Sequence, residues 1–128
     1  MKLLLDTSAF LWIIEGGKKL SRTAEKAFTS EENTPFLSVV SIWEICVKYK
    51  LGKLPLPVHP LALILPECKK YCIEVLPLVP EEALHVCHLP DMHGDPFDRL
   101  LICQAVCQSM SIVSNDQKIR QYSVQVIW

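Results

Sequence analysis

Four carboxylates define the chemistry open to this sequence: Asp6, Glu44, Asp98 and Asp116. Asp6 directly follows the apolar run Leu3-Leu4-Leu5, and Asp116 lies just past the run Ile112-Val113-Ser114. An unbroken apolar run such as Leu3-Leu4-Leu5 reads as a strand buried on both faces, and Ile112-Val113-Ser114 reads as another strand. Ligands of open α/β sheets bind beyond the carboxyl ends of the strands, so parallel strands would put both aspartates on one edge. Asp98 falls in the first turn of a helix expected from Pro96 to about Ser109. Its helical neighbours Leu101, Ile102 and Ala105 place it on an inward-facing apolar stripe. An unpaired buried charge is costly, so something should neutralise it.

Glu44 belongs to a helix expected over Val39 to Leu51, closed by Gly52. Val40, Trp43, Val47 and Leu51 form one apolar face, and Ile42, Ile45, Cys46 and Tyr49 form another. Ser41, Glu44 and Lys48 make the polar stripe between them. A helix apolar on two faces is expected to be covered, which would leave that stripe lining a cleft.

Each acid also has a local explanation. Asp95 as N-cap, Pro96 as the first helical residue and Asp98 two residues on make an acidic helix-start box. Glu44 and Lys48 are spaced as a surface ion pair, worth only ~0.3–0.5 kcal/mol. A cluster accounts for all four placements with one device. Two carboxylates ~4 Å apart repel by about 4 kcal/mol at an effective dielectric near 20. Such a group either shifts pKa values upward or binds a divalent cation. Magnesium or manganese takes carboxylate oxygens and water, and keeps positions open for phosphate. His93, close to Asp95, reads as a loop residue, because so hard a cation prefers oxygen.

The elements needed to position these acids follow in order. Helices are expected at Ser8 to Ile14, at Ser21 to Phe28 with Ser21 as cap, around Leu61 to Tyr71 with a break or restart at Pro66, and from Pro80 to His88. Strands are expected at Pro35 to Leu37, Ile73 to Leu76, Ile112 to Ser114 and Val126-Ile127, with a short helix near Gln117 to Tyr122. Alternating units of this kind predict an α/β fold, a three-layer α/β/α sandwich with a mainly parallel central sheet. The 128 residues make one domain, half of them hydrophobic, so a sizeable core can form.

A net charge of −1 excludes retention of nucleic acid by bulk positive charge. The six cysteines contain no CxxC pair, which disfavours zinc, and they are expected to be small buried hydrophobes in a reducing cytosol. An early Asp6 interrupts the leucines, so no signal-peptide core is expected. No apolar run approaches the ~20 residues that span a membrane. The expected location is the cytoplasm.

The placements resemble a PIN domain, and in particular the VapC-like toxins of bacterial toxin–antitoxin pairs. The resemblance runs through Leu4-Leu5-Asp6-Thr7-Ser8, then Ser38 to Ile45 with Lys48 and Lys50 to Leu54. Its most specific piece is His93-Gly94-Asp95-Pro96-Phe97-Asp98-Arg99-Leu100-Leu101-Ile102, with Gln104-Ala105. Val113-Ser114-Asn115-Asp116, Ile119 to Tyr122 and Ile127-Trp128 close it. The resemblance implies a metal site of Asp6, Glu44, Asp98 and Asp116, with Asp95 beside it and the hydroxyls of Ser114 and Ser8 in support. It implies magnesium- or manganese-dependent hydrolysis of RNA by water, leaving 3′-hydroxyl and 5′-phosphate ends. Asp6, Asp98 and Asp116 are the first choice as ligands, and Glu44 would ligate or orient water. Arg99, Lys48 and Lys118 are candidate phosphate contacts, each as readily a solvated charge. Gly94 stands where many relatives carry arginine. The resemblance further implies a homodimer and an antitoxin whose C-terminal segment covers the cleft.

Rival readings lose key groups. A haloacid-dehalogenase-type phosphatase needs a second aspartate at the position of Ser8. A response-regulator receiver needs adjacent early acids and a late strand-end lysine, and neither is found. The alternative from another class is a PIN-like module that sequesters RNA or a protein without cutting. Metal titration followed by incubation with mixed RNA separates it from an enzyme.

Overall fold

Leu3, Leu4 and Leu5 are completely buried because their strand runs through the middle of the sheet. The computed structural model describes residues 1–128. Its strands are β1 (Lys2–Leu5), β2 (Thr34–Ser38), β3 (Glu74–Leu76), β4 (Ser111–Val113) and β5 (Val126–Ile127). Its α-helices are α1 (Thr7–Ile14), α2 (Arg22–Thr29), α3 (Val39–Lys50), α4 (Pro60–Lys70), α5 (Pro80–Leu84) and α6 (Pro96–Gln108). The strands lie in the order β3-β2-β1-β4-β5, and every pairing is parallel. Leu4 is in register with Phe36 on one side and Ile112 on the other.

Side chains alternate across the sheet with period two. Leu3, Leu5, Leu37 and Val113 point into a core with Phe10 and Ile13 of α1, Ala24 of α2, Ile45 of α3 and Ile64 and Cys68 of α4. Leu4 and Ile112 point to the opposite core, with Leu101, Ile102 and Ala105 of α6 and Val40 of α3. This is the expected three-layer sandwich. The chain winds from β1 to β2 and β3 on one side, then crosses to β4 and β5 on the other. The β1–β4 junction is therefore the switch point of the winding, where such sheets open a crevice at their carboxyl edge.

Five local expectations meet a different outcome. Pro66 neither breaks nor restarts α4, which is continuous through it. The carbonyl left without a donor is that of Ala62, and both residues are exposed, so water can satisfy it. The Pro80 helix changes after Leu84 to a 3-10 turn over His85–His88, and only a 3-10 turn, Ile119–Gln121, forms between Asp116 and β5. The face of α3 bearing Trp43 and Leu51 is open: these side chains are 64% and 62% exposed, with Trp43 leaning on the Phe97 ring at 5.8 Å. Of the six cysteines, Cys68 and Cys103 are buried, Cys46 is intermediate, and Cys72, Cys87 and Cys107 are exposed. Cys72 and Cys107 escape burial because one lies past the end of α4 and the other faces outward on α6.

A buried polar network joins α5 and α6 to the end of β2. The Glu82 carboxylate accepts from Val79 N at 3.2 Å and Gln104 Nε2 at 3.1 Å, and also from Gln108 Nε2. Ser38 Oγ donates to Gln104 Oε1 at 2.5 Å. Glu82 is thus a buried acid whose oxygens are satisfied by neutral donors. No helix is long and apolar enough to cross a membrane.

Candidate active site

The carboxyl edge delivers the acids through ordinary helix-start and turn chemistry. Asp6 is the first residue past β1 and caps α1, its Oδ1 accepting from Ala9 N at 2.7 Å. Asp116 lies in the turn after β4, where its N–H donates to Ser114 Oγ at 3.0 Å and its Oδ1 accepts from Lys118 N at 2.8 Å. Asp95 caps α6, accepting from Phe97 N at 2.8 Å and Asp98 N at 3.2 Å. Asp98 does not reach back to complete the box. The Asp95 N–H donates to His93 Nδ1 instead, and the Asp98 carboxylate meets His93 Nε2. Glu44 comes from α3, 5% exposed.

These side chains converge. Asp6, Glu44, Asp95, Asp98 and Asp116 line one cleft of about 220 Å³ together with Thr7, Ser8, Lys48 and Asn115, and no hydrophobic residue contributes to its wall. Five carboxylates thus face a single ammonium. Burial, the largest influence, pushes the Asp6 carboxyl up to about 6. Hydrogen bonding by Ser114 and Ala9 pulls it down, and the charges of Asp116 and Glu44 push it further up. Burial and the charge of Asp95 lift Asp98 to about 7, against the pull of His93. Lys48 is driven the same way, chiefly by its hydrogen bond to Glu44 Oε2 at 2.5 Å. A low-dielectric cleft crowded with like charge has this signature.

The remaining predicted residues divide. Lys48 is in the cleft, both as the partner of Glu44 and as its one cation. Ser114 is buried beside Asp6 and Asp116, and Ser8 lies exposed in the cleft wall. Arg99 is engaged elsewhere, pairing with Asp91 at 3.0 Å and donating to the Pro90 and His93 carbonyls at 3.1 and 3.3 Å. Lys118 is exposed and outside the cleft wall.

Besides Asn115 in the cleft wall, two residues were not anticipated from sequence. Thr7 donates its hydroxyl to Glu44 Oε1 at 2.6 Å, with Ser41 Oγ 3.0 Å away. Its adjacency to Asp6 at the start of a helix was the available signal. His93 is not a bystander in its loop. It is buried, with Nε2 2.9 Å from Asp98 Oδ2 and 3.2 Å from Asp116 Oδ2. Its place two residues before the capping Asp95 was the hint, since a turn there folds it back against the helix start.

The donor set fits a hard divalent cation. Carboxylate oxygens predominate, hydroxyls of Thr7 and Ser8 stand by, and one ammonium, Lys48, faces five carboxylates and so does not neutralise the cleft alone. Asp98, Asp116 and His93 also offer ligand atoms lying within 4.8 Å of one another.

A family model described as PIN domain matches residues 3–125. The fold is shared with a chain of the VapBC2 structure from Rickettsia felis bound to a DNA fragment from its promoter (TM-score 0.72, 13% identity, 98% of this chain and 97% of that one). It is shared equally with VapBC-1 from nontypeable Haemophilus influenzae (TM-score 0.70, 16% identity, 98% and 96% covered). The PIN domain endonuclease Utp24 aligns at a TM-score of 0.52 and 16% identity, covering 94% of this chain and 74% of its own. No curated protein matches the sequence at a significant level. With the model spanning nearly the whole sequence and the fold common to these structures, this chain belongs to the PIN-domain family, whose members are generally nucleases that use divalent metal ions.

Proposed function

We propose that this chain is a magnesium-dependent endoribonuclease and the toxin of a toxin–antitoxin pair. One observation carries the reading: five carboxylates brought from four separate parts of the chain share a cleft with one lysine at the switch point of a parallel sheet.

Asp6, Asp98 and Asp116 would hold a magnesium or manganese ion, with Asp95 at the margin. When bound, such an ion activates water and offsets charge on the phosphoryl oxygens. The protein's own groups do the rest. Glu44, with one oxygen held by Thr7 and the other by Lys48, is fixed to accept a proton from an attacking water. Lys48 lines the same cleft, so its ammonium can follow the charge from Glu44 to a phosphate oxygen. Thr7 and Ser114 keep Glu44 and Asp6 from turning away. Attack by water with the P–O3′ bond breaking, the 3′ oxygen leaving as a hydroxyl once protonated, gives 3′-hydroxyl and 5′-phosphate ends.

The partners proposed are an RNA substrate, a second copy of the chain and an antitoxin. The toxin–antitoxin structures sharing the fold support the last of these. The open apolar groove of about 310 Å³ lined by Trp43, Val40, Leu78, Phe97 and Leu100 supports a protein contact beside the cleft. The cytoplasm, where magnesium and RNA are abundant and thiols stay reduced, is the proposed location.

The test is incubation of purified protein with mixed RNA in magnesium, in excess chelator, and as Asp98→Asn. Cleavage in the first alone supports the proposal. Full cleavage in chelator, or by Asp98→Asn, refutes it, and tight RNA binding without cleavage favours the sequestering module.

A further inference from the structure

His93 touches two of the acids at once, and they come from different elements. Asp98 sits on the first turn of α6, whereas Asp116 lies in the turn after β4. The Asp95 N–H donates to Nδ1 at 3.3 Å, so the ring proton is on Nε2. That Nε2–H faces Asp98 Oδ2 and Asp116 Oδ2 together. The side chain is 7% exposed and absent from the cleft wall that both carboxylates line, so it meets them from behind.

The loop carrying the ring is bolted in place. Tyr122 Oη accepts from Met92 N at 3.0 Å and His93 N at 2.9 Å, and donates to the Pro90 carbonyl at 2.8 Å. Arg99 ties the Pro90 and His93 carbonyls from the α6 side.

We propose that His93 is a positioning residue for the metal site: its Nε2–H holds one oxygen of Asp98 and one of Asp116, so that both acids present their remaining ligand atoms to the cleft in one geometry. This rests on the metal-dependent reading above. Direct ligation by His93 is the competing arrangement, since the three atoms are close enough to share an ion. It would move the ring proton to Nδ1, against the Asp95 N–H, setting two donors 3.3 Å apart with no acceptor. The observed hydrogen bond therefore favours the donor role. Hydrogen-bonded supports behind carboxylate ligands commonly set metal affinity.

The experiment is calorimetric titration of magnesium and manganese into the wild-type chain, His93→Ala, His93→Gln and Tyr122→Phe, each first shown to melt cooperatively. A glutamine amide can place an N–H near that of Nε2. His93→Ala should weaken manganese binding roughly 10–100-fold, and His93→Gln should restore it to within about threefold of wild type. Tyr122→Phe, which leaves the ring present but frees its loop, should fall between. Pulsed EPR of the manganese-loaded, histidine-15N-labelled wild type should show no directly coordinated nitrogen. Wild-type affinity in both His93→Ala and Tyr122→Phe overturns the inference, as does glutamine doing no better than alanine, or a coordinated nitrogen. If His93→Ala does not fold, the glutamine, Tyr122→Phe and EPR arms still decide. A wild-type chain that binds neither ion overturns the metal reading itself, and this inference with it.

Discussion

Removing the charge of Asp6 should stabilise the metal-free protein near neutral pH, and the structure gives the size of the effect. The Asp6 carboxyl is raised from 3.8 to about 6, first by burial and then by the charges of Asp116 and Glu44. A group whose pKa is raised on folding contributes stability that is fully present below its unfolded value and disappears as pH climbs through the folded one. Wild-type protein in chelator should therefore lose stability between about pH 4 and pH 7 on account of Asp6. At 1.36 kcal/mol per pKa unit, the loss is on the order of 3 kcal/mol. Asp6→Asn escapes it. Asparagine caps a helix as well as aspartate does, so the bond from Ala9 N survives. Urea denaturation in chelator should find Asp6→Asn more stable than wild type by roughly 2–3 kcal/mol at pH 7.5, narrowing to about 1 kcal/mol at pH 4.5 and vanishing near pH 3. Saturating magnesium should stabilise wild type and leave the variant almost unmoved. An Asp6→Asn protein less stable than wild type at pH 7.5, or a difference that ignores pH, would refute the argument that like charge and burial strain this site.

Further outcomes follow from other parts of the molecule. Because burial and the Asp95 charge lift Asp98 to about 7, protons should compete with metal there, and calorimetry should show magnesium binding tightening from pH 6 to pH 8. Glu82→Ala strips acceptors from Val79 N, Gln104 and Gln108 and should cost roughly 2–4 kcal/mol in urea, while RNA cleavage per folded molecule stays unchanged. Gly52 ends α3 at φ +71° with open space around it, so Gly52→Ala should cost about 1 kcal/mol from backbone strain alone, read as a lowered thermal midpoint.

The strand at Leu3–Leu5, the cap at Ser21, the start of α6 at Asp95-Pro96 and the glycine after α3 are local matters, governed by hydrophobic period and backbone chemistry within a few residues. Those same rules place Asp6 and Asp116 at strand ends and Asp98 on an inward stripe. With a parallel sheet, that is enough to expect the acids on one edge. The sequence by itself therefore determined the architecture and the chemical type of the site.

Packing decided the rest. Arg99 was free to face a phosphate until the loop from Pro90 to His93 gave it carbonyls to bind. His93 could pass for a solvated loop residue because its partners lie five and 23 positions away and meet only when the start of α6 comes beside the turn after β4. Thr7 and Glu44 touch across 37 positions, a contact no periodicity encodes. The apolar stripe of α3 announced that Trp43 wanted cover, but only the assembled layers show that this chain leaves it open. Periodicity tells which way a side chain points from its own element. What it meets there depends on the free energy of the whole packed chain, and the charges crowded at the β1–β4 junction are a property of that whole.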